Sequence, residues 1–299
     1  MMRSGKAKGN LMLLVTALIW GTAFAAQSGA MDHIRPFTFT ALRSFLGGLV
    51  LLPVIALFRR EPVKSRKTLF TGGALCGLCL FIASAFQQVG IVYSTTAKAG
   101  FITALYVVFV PLIRLALGKR PSPIVWPAVG ISVIGFYLLC VGGGALSLQK
   151  GDLLLLLCAV CFSIHILVID RFSPRTDGVK MACIQFFVCG ALSLICTLFF
   201  ETPDMKSIAA AWLPVAYAGV LSSGIAYTMQ IVGQKYTDPV TASLICSLEA
   251  VFAALAGYLC WRLGWIGNGN ITPREIFGCL LVFIAVILVQ IPIPPKKKA

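Results

Sequence analysis

The side chains that can do chemistry in this sequence are few, and most stand in apolar surroundings. Glu249 lies in Ser-Leu-Glu-Ala-Val-Phe, well inside a long apolar run. An ionisable group at a bilayer centre costs about 2.5–3.5 kcal/mol on insertion scales, so its presence in such a run needs a reason. A carboxyl group there can exchange a proton or meet a substrate ammonium group. It can equally be a structural group, paired with Arg43 or bonded to nearby hydroxyls. Arg43 offers a planar fork that suits a carboxylate of either substrate or protein, or it can snorkel toward the interface. His165 is the residue type whose unperturbed side chain changes charge near neutral pH, and it reads as a coupling site or as a packing residue. Trp20, mid-run, can stack on a substrate or fill a helix interface. Tyr106 sits at matching depth in another run. Glu249, Tyr106, Trp20, His165 and Arg43 are thus the substrate or coupling candidates. Gln87, Gln230 and Tyr227 are candidates for a gate or cavity lining; the two amides, near opposite faces of the membrane, read more readily as hydrogen bonds between helices.

No catalytic constellation stands beside them. The chain has 2 His, His33 and His165, no H-E-x-x-H and no Asp-Asp pair, whereas an enzyme buried in a membrane needs a convergent set of such groups. There is no G-x-x-x-x-G-K-[ST] loop for ATP. Cys76-x-x-Cys79 and Cys158-x-x-Cys161 have a metal-like spacing, but no His or carboxylate ligand accompanies them. They read as small buried packing residues. The expectation is a protein that is not an enzyme and needs no metal or cofactor. A membrane-embedded enzyme and a receptor or scaffold without transport are the alternatives.

Such residues need elements to position them, and composition says which. Of 299 residues, 59% are hydrophobic and 12% charged, with mean hydropathy +0.92. A soluble protein carries about 25% charged residues, so a soluble enzyme is excluded, and disorder is excluded by the same figures. A spanning helix takes about 20 apolar residues. Ten candidate runs appear: 10–30, 36–58, 69–90, 95–117, 122–143, 152–170, 178–200, 209–234, 239–261 and 273–293. None alternates with period two, so the fold class is an all-α integral membrane bundle of ten transmembrane helices. Gly73-x-x-x-Gly77 marks a close helix contact, and Pro53 and Pro111 mark kinks.

The charge sets orientation. A net charge of +15 would suggest nucleic acid in a soluble chain; here cytoplasmic loops collect Lys and Arg. With the N-terminus inside, the inner segments hold Arg3, Lys6, Lys8, Arg59, Arg60, Lys64, Arg66, Lys67, Arg114, Lys119, Arg120, Arg171, Arg175, Lys180, Lys235, Lys296, Lys297 and Lys298. The outer segments hold Arg35, Lys98, Lys150, Lys206, Arg262 and Arg274. Both termini are expected in the cytoplasm, in a multi-pass protein of the plasma membrane. Arg3, Lys6 and Lys8, an apolar core and Ala23-Phe24-Ala25 also fit a cleavable secretory signal.

The chain repeats itself. Gln87-Gln88-Val89-Gly90-Ile91-Val92-Tyr93 aligns with Gln230-Ile231-Val232-Gly233-Gln234-Lys235-Tyr236 at an offset of 143, both reading Q-x-V-G-x-x-Y. The register continues through Ala99/Ala242, Ile102/Ile245, Leu105/Leu248, Val108/Val251 and Phe109/Phe252, and it sets Tyr106 opposite Glu249. Gly9-Asn10-Leu11 aligns with Gly151-Asp152-Leu153 at an offset of 142. The first run therefore has a partner in the sixth, which reads it as a permanent helix. Each half, 1–146 and 147–299, holds five runs, an odd number, so the second half enters the membrane from the opposite side. Inverted repeats of this kind characterise secondary transporters, with the site near the midplane between halves. A channel would need rings of charge or a carbonyl filter motif, and neither is evident.

The residues also carry a family likeness. Leu18-Ile19-Trp20-Gly21, Pro36 through Arg43, Ser94-Thr95-Thr96-Ala97, Leu248-Glu249-Ala250-Val251-Phe252-Ala253-Ala254-Leu255 and Gly278 occur in order along the chain. With them the sequence resembles the ten-span EamA branch of the drug/metabolite transporter superfamily over essentially its full length. The resemblance implies export or exchange of small polar metabolites, often amino acids or their analogues. It departs in one place: where family members often carry Leu-Gly-Glu after the ninth span, this chain reads Leu263-Gly264-Trp265. The expected partners are a small-molecule substrate, the bilayer and protons as coupling ion, with no nucleic acid; a monomer suffices.

Overall fold

A computed structural model describes residues 2–58, 65–94, 96–140, 150–262 and 271–291. Leu263, Gly264 and Trp265, the boundary at 146, Thr95, and the basic residues Arg59, Arg60, Lys64, Lys296, Lys297 and Lys298 lie outside them. Among the described residues every regular element is helical. Nine helical stretches among the described residues are long and apolar enough to cross a membrane, and a shorter apolar helix covers Val125–Leu139. The chain is a multi-pass membrane protein.

The ends of the helices are written locally. In α2 (Pro36–Leu57) and α14 (Pro273–Gln290) a proline opens the first turn, where its missing N–H costs nothing. Ser65 caps α3 (Arg66–Val92) by accepting from the Thr68 N–H, and Asp177 caps α8 (Gly178–Phe200). Thr272 and Glu275 close a reciprocal capping box on α14. One cap comes from far away. Glu201, at the end of α8, accepts from Phe37 N–H at 2.9 Å, Thr38 N–H at 2.8 Å and Thr38 Oγ1 at 2.6 Å. It neutralises the exposed amides that begin α2 and ties the two helices together. Glu201→Ala is expected to cost about 1–3 kcal/mol, the desolvation of donors left unmet. A detergent melt that moves no more than it does for an exposed control such as Lys206→Ala would refute this.

Three of the apolar runs are not single helices. The fourth divides at Leu105 into α4 (Thr96–Ala104) and α5 (Tyr106–Ala116). The ninth divides at Ser247 and Leu248 into α12 (Pro239–Cys246) and α13 (Glu249–Arg262). Both breaks tighten the helix in the same way. The Leu105 N–H donates to the Ile102 carbonyl and the Leu248 N–H to the Ile245 carbonyl, each at 3.2 Å, three-residue closures in place of four. The eighth run begins with α9 (Met205–Ala210) and α10 (Trp212–Ala216), passes through a π-helical stretch, Tyr217–Tyr227, and ends in α11 (Thr228–Gly233). Wide π turns are rare and gather at functional sites.

The first helix, α1 (Met2–Ala30), packs along the π-helical stretch, α11 and α13, while α3 packs along α7 (Lys150–Phe172) and α8. The helix α6 (Val125–Cys140) lies along α14, and α2 along α8. Gly73 and Gly77 face Ile184 and the Gln185 carbonyl of α8, the close contact that small residues permit. Residues aligned by the internal offset make matching contacts. A Cβ on Gly151 would lie 2.5 Å from the Gly90 carbonyl, and one on Gly9 2.7 Å from the Gly233 carbonyl. Ser94 donates to Asp152 at 2.7 Å and Thr237 to Asn10 at 2.9 Å. Where aligned residues face each other directly, Phe45 and Phe187 meet at 6.3 Å between ring centroids. A Cβ on Gly135 would lie 2.8 Å from the Gly278 carbonyl.

Candidate functional site

The two broken helices deliver the central pair. Tyr106 is the first residue of α5 and Glu249 the first of α13. Tyr106 Oη donates to Glu249 Oε1 at 3.1 Å, with Tyr106 3% and Glu249 4% exposed. Span 1 reaches this point because Gly21 lacks a side chain: a Cβ there would lie 2.6 Å from the Glu249 carbonyl and 2.8 Å from the Ala253 nitrogen. Backbone cannot yield as a side-chain tip does. Gly21→Ala is expected to push α1 away from α13 at a cost of about 1–3 kcal/mol, lowering the melting temperature. Gly29→Ala, where a Cβ meets open space, is the matched control; equal melts for the two would refute the close-approach account.

Arg43 does not snorkel outward. It is 3% exposed and points inward, donating to Gln27 Oε1 at 3.3 Å and to Ser84 Oγ at 2.9 Å, with its guanidinium 5.5 Å from the Phe39 ring centroid. Trp20 packs against Tyr227, which the π-helical stretch supplies, with ring centroids 4.5 Å apart and the planes tilted by 55°. Gln87 and Gln230, read from sequence as lying near opposite faces, come to one place.

That place is a cavity of about 30 Å³. Seven sequence candidates line it: Trp20, Arg43, Gln87, Tyr106, Tyr227, Gln230 and Glu249. The eighth, His165, stands behind the wall. Its Nε2 is 2.8 Å from Gln185 Oε1, and its ring is edge-on to Tyr227 at 6.0 Å. Sequence reading missed Phe24, Gln27, Thr103, Phe162, Ile166 and Ser222 on the same wall. The offset of 142 pairs Trp20 with Phe162 and Phe24 with Ile166. Carrying the register from Trp20 through the first run would therefore have found one of the six, Phe162.

The cavity holds one or two waters, against about 300–1,000 Å³ for ordinary ligand sites. Its walls must part to admit a metabolite. It also carries unmet polar atoms: Trp20 Nε1, a donor, and Gln230 Oε1, an acceptor, find no partner among the described residues. A ligand seated here is asked for an acceptor and a donor at once, between a guanidinium and a carboxyl group. Aromatic faces form much of the remaining wall. At one mouth of the bundle, larger clefts of about 480 and 560 Å³ open around Asp32 and His33. At the other mouth Arg114 of α5 pairs with Asp238, the cap of α12, at 3.7 Å.

Apolar helices gathered around a small cavity lined by a guanidinium and a carboxyl group mark a membrane protein with a polar site between its helices. The chain belongs to the EamA-like transporter family, whose profile matches residues 7–141 and 149–291. It is 31% identical over 287 residues to an uncharacterized transporter of Archaeoglobus fulgidus, covering 94% of this chain and 85% of that one. It is 26% identical over 290 residues to the aromatic amino acid exporter YddG of Ancylobacter novellus, covering 88% and 96%. It is 28% identical over 198 residues to the S-adenosylmethionine/S-adenosylhomocysteine transporter of Chlamydia muridarum, covering 61% of each. A solved protein structure of the same fold superposes with TM-score 0.76 at 21% identity, over 95% of this chain and 96% of the other.

Proposed function

We propose that this protein is a secondary transporter that exports or exchanges a small zwitterionic metabolite, an amino acid or a close analogue, across the plasma membrane. The carrying observation is one small cavity lined by Arg43 and Glu249 together with Trp20 and Tyr227. Arg43 and the Trp20 N–H suit a carboxylate, while Glu249 and Gln230 Oε1 suit an ammonium group. The aromatic rings suit an apolar side chain or a flat one. Two relatives are named for an aromatic amino acid and for S-adenosylmethionine, and both cargoes carry an α-amino-acid group.

In this reading ten spans form two inverted five-span halves, 1–146 and 147–299, with both termini in the cytoplasm. Matched contacts between aligned residues favour it: Gly90 with Gly151 and Gly9 with Gly233 are one contact made twice, at opposite mouths. Opening one while the other stays closed exposes the cavity to alternate sides. Glu249 exchanges a proton for the substrate ammonium, which couples export to proton entry. The protein acts as a carrier and not as an enzyme.

Purified protein in liposomes, challenged with amino acids, their decarboxylated amines and their deaminated acids, tests the reading. Saturable flux of the zwitterions, at least tenfold above either truncated set, is expected, since each truncation strands one buried charge. Equal flux for amines and zwitterions would remove Arg43 as the carboxylate partner. No flux of any solute would sink the transport reading.

A further inference from the structure

Aligned residues of the two halves touch each other only where the pseudo-two-fold axis passes between them. Phe45 with Phe187 and Gly135 with Gly278 mark two such points, and Tyr106 with Glu249 marks a third, on the cavity wall. This axis separates two kinds of contact. Those away from it, such as Gly9–Gly233 and Gly90–Gly151, exchange roles when the halves exchange conformations. Those on it have the same neighbours in both states and are equally reachable from both sides. Around the axial pair three aligned pairs line the wall, Gln87 with Gln230, Trp20 with Phe162 and Phe24 with Ile166, while Gln27, Arg43, Thr103, Ser222 and Tyr227 line it without their aligned partners. Tyr106 and Glu249 are the one aligned pair on this wall whose side chains bond to each other.

We infer that Tyr106 is the resident donor of the empty site, bonded to Glu249 on the axis until a substrate ammonium group displaces it. Glu249 contributes through its axial place and not through the half that carries it. A buried carboxyl oxygen needs a donor whenever substrate is absent, and Tyr106 supplies one from the aligned position. The state that holds the bond leaves a cavity of only about 30 Å³, and a substrate ammonium group that reaches Glu249 competes with the Tyr106 hydroxyl for the same carboxyl oxygen. The inference rests on the inverted-repeat transport reading and adds to it a positioning residue with a defined competitor.

The test is an exchange across the axis. Tyr106→Glu, Glu249→Tyr and the double exchange Tyr106→Glu/Glu249→Tyr are compared with wild type by detergent melting and by zwitterion flux in liposomes. Each single change sets like groups against each other, two carboxyls or two phenols. It is expected to lower the melting temperature and cut flux at least tenfold. The double exchange rebuilds the bond with its ends reversed. It is expected to regain the melting temperature and to recover flux to within about threefold of wild type, interacting neighbours being non-additive. Failure to regain the melting temperature overturns the axial pairing; regained stability without flux overturns the claim that axial place is what counts. The melt decides the pairing even if wild type moves no solute, an outcome that defeats the transport reading alone. Tyr106→Phe separates displacement from support. With the competitor gone, KM for the zwitterion is expected to fall about threefold or more, weaker binding by a rival being the only term removed. An unchanged or higher KM overturns the displacement.

Discussion

Glu249→Gln is expected to abolish flux driven by a pH gradient, by a factor of about 100 or more, while solute-for-solute exchange persists at saturating concentration with a raised KM. The amide keeps the size of the carboxyl group and can still accept from Tyr106 Oη, which lies 3.1 Å from the native oxygen. What it loses is the proton and the charge. A group that only supported the fold would lose both kinds of flux together; one that carries the coupled proton loses only the driven kind. Paired counterflow and gradient-driven assays in the same liposomes make the comparison. Parallel loss of both would return Glu249 to a binding or folding role.

The second large effect is expected at the mouths. Gly9→Val places a side chain where even a Cβ lies 2.7 Å from the Gly233 carbonyl and 2.8 Å from Thr237 Oγ1. Gly151→Val does the same 2.5 Å from the Gly90 carbonyl. Overpacking of backbone against backbone costs about 1–3 kcal/mol, and separating the helices relieves it. Each variant is thus expected to hold open its own mouth, which in the proposed orientation is the cytoplasmic one for Gly9→Val and the outer one for Gly151→Val. A shift of about 2 kcal/mol changes a two-state population roughly 30-fold. With native cysteines replaced, Ser222→Cys on the cavity wall reports which side is open to a membrane-impermeant maleimide. Opposite sidedness of labelling in the two variants is expected, at least tenfold in each case. Labelling from the same side in both would contradict alternation between two equivalent closures.

Much of the fold could be read before any coordinates. The apolar runs gave the helices, since every backbone group in a bilayer must be satisfied within its own segment. The offset of 143 set Tyr106 against Glu249, and the two side chains do meet. Gly9, Gly90, Gly151 and Gly233, aligned by register, turned out to face each other in two close helix contacts, between the first and eighth and the third and sixth spans. His165 illustrates the limit. Its residue type announces a titratable group, but its partner Gln185 lies in the next helix, and sequence spacing carries no rule for that meeting.

What the sequence determined by itself is the material: a membrane chain built twice, with one carboxyl, one guanidinium and a handful of amides and rings at mid-depth. Those follow from local quantities, hydropathy, period and self-similarity, that each segment carries without its neighbours. Only the tertiary structure decided that Arg43 turns inward to Gln27 and Ser84 and that Gln87 and Gln230 share one wall. It likewise decided that the runs break at Leu105 and at Ser247–Leu248, and that Tyr227 rides on π-helical turns. No glycine or proline stands at those breaks. They lie where Tyr106 and Glu249 meet, a contact between residues far apart along the chain that no local quantity announces.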